Sequence, residues 1–145
     1  MYLARIKSKS GFSLVELAVV VVIIGVLAAF AVPRFRASVE RSKAAEAFNY
    51  LAAVQAAQER YHARQSTYAD DLDVIDIKLT VPKYFSVGTI AAGSTGDLED
   101  SWSLSLTRSG ASAGYGEYTV TFCEEGFDAE DSTIVDHPDI NPMQT

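Results

Sequence analysis

The sequence predicts an α+β chain: one long N-terminal α-helix packed against a small antiparallel β-sheet. Three observations predict it. Leu17 to Pro33 is an uncharged, almost wholly apolar run. After Arg34 the pattern becomes amphipathic, with apolar and small residues recurring at three- and four-residue spacing. Beyond about residue 84, short alternating segments are separated by glycine-containing turns. At 145 residues the chain has room for one small domain.

Charge follows the same division. Residues 1–11 carry +3 from Arg5, Lys7 and Lys9, and residues 12–33 carry only Glu16. Residues 34–64 carry +3, and residues 65–145 carry −12 of the chain's net −7. A cationic stalk thus joins an anionic head. A head of that charge excludes nucleic acid as its partner, because phosphate contacts need basic residues. The single cysteine, Cys123, excludes an intrachain disulfide. With two histidines, and neither a P-loop, a nucleophile elbow nor an HExxH pair, the sequence does not read as an enzyme.

The helix is expected from about Phe12 to Arg64. Its first part is of membrane-spanning type: the seventeen residues Leu17–Pro33 reach about 25 Å, and extension back to Phe12 completes a span. The basic cluster before it keeps that end cytoplasmic. Glu16 is the anomaly. A carboxylate in lipid costs several kcal/mol unless it is paired or protonated. On the residues alone, Glu16 either lies at headgroup depth or meets a cation.

The segment Lys9-Ser10-Gly11-Phe12-Ser13-Leu14-Val15-Glu16-Leu17, followed by an apolar helix and Pro33, resembles the class III signal of type IV prepilins and the related pseudopilins. The resemblance is close over residues 5–36 and implies a pilin fold. It divides the chain into a leader at 1–11, a transmembrane and polymerisation helix at 12–33, an amphipathic half at 34–64 and an acidic head at 65–145. It implies cleavage by a prepilin peptidase between Gly11 and Phe12, and N-methylation of Phe12. Glu16 matches the family's acid, Gly25 and Pro33 its flexible points. The implied function is that of a structural subunit of a type IV pilus filament, supporting adhesion, motility or DNA uptake. The alternative is a major-type pseudopilin of type II secretion. The implied partners are further copies of the chain, the inner membrane, the peptidase, an assembly platform protein and its ATPases. The chain would sit in the inner membrane first, then in an extracellular pilus or periplasmic pseudopilus. In a bundle of staggered copies, the Phe12 ammonium of one subunit would meet Glu16 of another, removing two desolvation penalties together.

In the amphipathic half, Ala44, Phe48, Leu51, Val54, Gln58 and Tyr61 mark the stripe facing the head. Glu40 is expected on the solvent face, pairing with Arg36 and Lys43. Pro33, which cannot donate to the helix ladder, is expected to kink the helix. The connector, 65–83, is expected to hold a short helical turn capped by Ser66 or Thr67. The sheet, about 84–123, takes its strands from Tyr84–Ile90, Trp102–Arg108 and the alternating Tyr118, Val120 and Phe122, with Thr119 and Thr121 facing outward. The tail, 124–145, is read as a solvated acidic surface with an edge strand near Thr133–Val135. Asp128, Glu130, Asp131 and Asp136 are oxygen ligands of the kind calcium takes. No D-x-D-x-D-G spacing accompanies them, so no cofactor is assigned.

Overall fold

The computed structural model describes residues 11–144; the leader's Arg5, Lys7 and Lys9 lie outside the described residues. The chain forms two compact units, with the boundary between Phe35 and Arg36. One helix, α1 (Leu14–Gln65), contributes to both. Its residues up to Phe35 are exposed throughout, and the helix is long and apolar enough to cross a membrane. Pro33 lies inside α1, which remains helical on both sides of it. The helix ends where Ser66 adopts a left-handed conformation (φ 58°) and its N–H closes on the His62 carbonyl at 2.8 Å.

The second unit is a sheet packed on the amphipathic half of α1. Its strands are β1 (Phe85–Val87), β2 (Ala91–Ala92), β3 (Trp102–Arg108), β4 (Thr119–Cys123) and β5 (Gly126–Asp128). All pairings are antiparallel, in the order β1-β3-β4-β5, with β2 also beside β3. The period of two sends Trp102, Leu104 and Leu106 inward from β3, beside Val120 and Phe122 of β4. They meet Ala44, Ala47, Phe48, Leu51 and Val54 of α1. Phe48 and Phe122 pack edge to face at 5.8 Å between centroids.

Several expectations are corrected. The strand expected over Tyr84–Ile90 is broken. Val87 pairs with Leu106, but Ala91 pairs with Ser103, so β1–β2 holds one residue more than β3 across the gap. Gly88 occupies this bulge, where an added Cβ would lie 2.8 Å from the Ser105 carbonyl oxygen. The connector's turn is a 3-10 turn at Leu72–Val74 capped by Asp71, whose side chain accepts the Asp73 N–H, not by Ser66 or Thr67.

The tail is folded onto the sheet. Glu124 and Glu125 form a two-residue turn into β5, with Gly126 at φ 110°. Thr133–Asp136 is a 3-10 turn, not an edge strand. The hydroxyls of Ser132 and Thr133 accept the N–H groups of Thr121 and Thr119, each at 2.8 Å. Side chains therefore satisfy the donors that a further strand would have taken. Thr121, expected outside, is buried beneath this segment; its hydroxyl bonds Ser105 and donates to the Asp131 carbonyl.

Glu40 is the largest correction. It is fully buried, because Arg108 at the end of β3 draws it inward. Arg108 donates from Nε to Glu40 Oε1 at 2.5 Å and from Nη2 to Oε2 at 3.2 Å. Its remaining donors reach the carbonyls of Tyr84, Ser109 and Ala111. Tyr118 donates to Glu40 Oε1 at 3.0 Å, and Lys43 approaches Oε2 at 3.3 Å. The Lys43 pair is present as expected; Arg36 forms no ion pair among the described residues. Burial pushes the Glu40 carboxyl up, but the bonds from Arg108, Tyr118 and Lys43 outweigh it and hold the group below its ordinary value. A second anchor is Gln58, also buried, whose side-chain amide takes the Ala69 N–H at 2.8 Å and donates to its carbonyl at 2.9 Å.

Two outcomes are expected. Glu40→Ala should destabilise the head by about 3–5 kcal/mol in urea denaturation, because it leaves a buried guanidinium uncompensated. Since Glu40's folded pKa is depressed, its contribution is whole above the unfolded carboxylate's pKa, ordinarily 4.5, and is lost as pH falls through the lowered folded value. A Glu40→Gln chain should show a shallower loss of stability in that acid range; an unchanged pH profile would contradict the assignment. Gln58→Ala should cost about 1–3 kcal/mol and speed proteolysis within residues 65–71, as a buried amide N–H and carbonyl lose their partners.

Candidate assembly site

The first turn of α1 explains part of Glu16 locally. Ser13 precedes the helix, and its hydroxyl accepts the Val15 N–H at 3.3 Å. Glu16 reaches back in turn, Oε2 accepting the Ser13 N–H at 2.8 Å. This reciprocal arrangement is a capping box: each side chain satisfies a backbone donor that the first turn leaves free. The negative carboxylate also sits at the favourable end of the helix dipole. Ser13 was not singled out from the sequence, although Ser-x-x-Glu before an apolar run was the signal available.

The cap fixes where the helix begins. Gly11, Phe12 and Ser13 lie outside regular structure, and α1 starts at Leu14. Gly11 and Phe12 are exposed, Phe12 at 79%. The Gly11–Phe12 peptide bond is therefore non-helical and exposed. Glu16 is exposed on the turn that follows, and its Oε1 takes no hydrogen bond among the described residues. It can accept from an incoming cation without releasing its own cap.

The rest of the apolar segment offers surface instead of chemistry. Leu14, Val15, Ala18, Val19, Val22 and Ile23 line a shallow apolar groove. A Cβ at Gly25 would meet nothing within 4 Å. No contact among the described residues therefore demands glycine there; close approach by a neighbour would.

Of the acids named from the sequence as calcium ligands, Asp128, Glu130 and Asp131 lie along one groove and Asp136 does not line it. Asp128 Oδ1 is engaged by the N–H groups of Glu130 and Asp131 at 2.9 and 3.2 Å. Asp136 belongs to the 3-10 turn at Thr133–Asp136. The groove, of about 540 Å³, is also bordered by Glu124 and Glu125. Among the described residues, no group of three or more acids, histidines or cysteines is placed to hold a metal. Cys123 ends β4 half-buried, and burial pushes its thiol up, away from reactivity.

Comparison with known proteins matches these features. Residues 6–32 fit the family described as the prokaryotic N-terminal methylation motif. The chain is 39% identical over 90 residues to the fimbrial protein EcpC of Eikenella corrodens, covering 61% of this chain and 59% of that one. It is 45% identical over 60 residues to the type IV major pilin protein PilA of Myxococcus xanthus, covering 41% and 27%. It is 31% identical over 78 residues to the type II secretion system core protein G of Vibrio cholerae, covering 54% and 53%. The chain thus spans less than two thirds of the length of these relatives. No solved structure matches it. With a methylation motif over residues 6–32, a long N-terminal helix on a small antiparallel sheet, and these relatives, the chain is similar to type IV pilins, fimbrial proteins and type II secretion pseudopilins.

Proposed function

We propose that this chain is a structural subunit of a type IV pilus, polymerising through α1 after its leader is removed at Gly11–Phe12 and Phe12 is N-methylated. One observation carries the reading. A capped carboxylate with a free oxygen stands one turn from the methylation junction, at the head of an apolar helix segment that is exposed among the described residues. An exposed apolar surface of this length needs lipid or other copies of itself. Before assembly the helix would lie in the inner membrane, with its N-terminus cytoplasmic.

On leader removal, the Phe12 amide nitrogen becomes an amine that can carry a proton and a charge. In a staggered bundle that ammonium of an incoming copy meets Glu16 Oε1, while Oε2 keeps the Ser13 N–H. The pair fixes axial register, and it forms only between processed chains. A prepilin peptidase, a platform protein and cytoplasmic ATPases are the partners this cycle requires. Adhesion, motility or DNA uptake would be its outputs. The second reading is a type II secretion pseudopilin. It is favoured by the similarity to core protein G, and would build a short periplasmic filament.

Mass spectrometry of the mature protein should show methylated Phe12 at the N-terminus; an intact Met1 start would overturn the assignment. Glu16→Gln separates the two roles of the acid. It keeps an acceptor for the Ser13 N–H and so the cap, but it loses the charge. Processing should be normal and filaments absent. Wild-type filament yield from that variant would exclude the intersubunit pair. Electron microscopy of sheared surface material distinguishes the two filament types: long filaments containing this chain mark a pilus, and their absence beside a secretion defect marks a pseudopilus.

A further inference from the structure

Arg34 and Arg36 follow the apolar run on α1, and both are exposed. Their position is unusual for an anchored chain whose N-terminus is also basic, since cationic residues ordinarily mark one side of a span only. The expected consumer of Arg36 was Glu40, one turn later. Glu40 is fully buried and committed to Arg108, Tyr118 and Lys43. Among the described residues neither Arg34 nor Arg36 forms an ion pair or a side-chain hydrogen bond. By contrast Arg41, on the same side of α1 as Arg34, is held by the Gln144 carbonyl at 3.0 Å. The inward turn of Glu40 leaves Arg36 without its expected anion, and Arg34 has none among the described residues either.

We infer that Arg34 and Arg36 form a collar that binds the phosphate headgroups of anionic phospholipids while the chain is stored in the membrane. Residues two apart on an α-helix point about 200° away from one another, so the two groups flank the helix instead of forming one patch. Leu17–Pro33, at about 1.5 Å per residue, reaches about 25 Å, which sets the collar at the far boundary of the hydrocarbon. Phe30, one turn before Arg34, and Phe35, between the two arginines, are 73% and 70% exposed and add apolar rings at this level of the helix. At that depth, lipid phosphates are the nearest plentiful anions. A planar guanidinium bonds phosphate oxygens in bidentate fashion, which a lysine could not do. The collar then fixes the depth of the stored chain, and its lipid contacts must be released when α1 leaves the bilayer.

This inference rests on the membrane-stored state proposed above. The test is electron spin resonance of the full chain reconstituted in phosphatidylcholine vesicles, with spin-labelled phosphatidylglycerol or phosphatidylcholine as the reporting lipid. The wild-type chain should immobilise phosphatidylglycerol preferentially, by up to about fivefold per arginine at low salt, and less as salt rises. A chain with Arg34→Gln and Arg36→Gln should lose most of that preference. One with Arg5→Gln, Lys7→Gln and Lys9→Gln should keep the share due to the collar. An unchanged preference in the arginine double variant overturns the collar while leaving the membrane span intact. So does a double variant whose crosslinking between copies falls while its lipid preference stays, since the arginines would then face a second copy. Absence of any immobilised lipid in the wild type overturns the span, and the collar with it.

Discussion

The buried pair between Glu40 and Arg108 is the constraint on which the head depends. Two charges taken out of water are tolerable only when each remaining donor and acceptor is filled. Arg108 meets that demand with five donor contacts, two to Glu40 and one each to the carbonyls of Tyr84, Ser109 and Ala111. Glu40 belongs to α1 and Arg108 to the end of β3, so one guanidinium fastens helix, sheet and the loop after β3. Apolar contacts between α1 and the sheet are non-directional and would tolerate sliding. A bidentate pair with a hydroxyl from Tyr118 has a single geometry. Register between helix and sheet is therefore set by charge, while adhesion between them comes from apolar burial.

The two acids of α1 illustrate opposite uses of a carboxylate. Glu40 is spent inside the subunit, with both oxygens occupied. Glu16 is half spent: one oxygen caps the helix and the other is open. A capped acid is preoriented, because its side chain has already lost much of its rotamer freedom to the cap. The same cap holds the helix start at Leu14, which leaves Gly11, Phe12 and Ser13 outside regular structure.

The sequence made some of this legible through periodicity. The alternation of Trp102, Leu104 and Leu106 located β3 to the residue, and the apolar run located the exposed half of α1. Periodicity failed where polar groups decided the outcome. Helical spacing put Glu40 opposite Arg36, and only a contact with Arg108 across 68 residues turned it inward. The tail's acids concealed Phe127 and Gly126, and Glu124-Glu125 is not a turn sequence that composition marks. Thr133–Val135 is rich in β-formers, but Ser132 and Thr133 use side chains where a strand would use backbone. Ser13 could have been found from the capping-box spacing, but the family motif drew attention to the acid alone.

The borders of the sheet carry one more consequence. On one side, β1 and β2 are three and two residues long, with the bulge at Gly88 between them. On the other, β5 is three residues long and ends opposite Thr121, and hydroxyls of Ser132 and Thr133 take the N–H groups of Thr121 and Thr119. Neither border offers a continuous row of free backbone donors on which a foreign strand could template itself. Sheets with open borders fuse into cross-β aggregates when they are crowded. Crowding of such heads therefore does not by itself extend the sheet from one copy to the next.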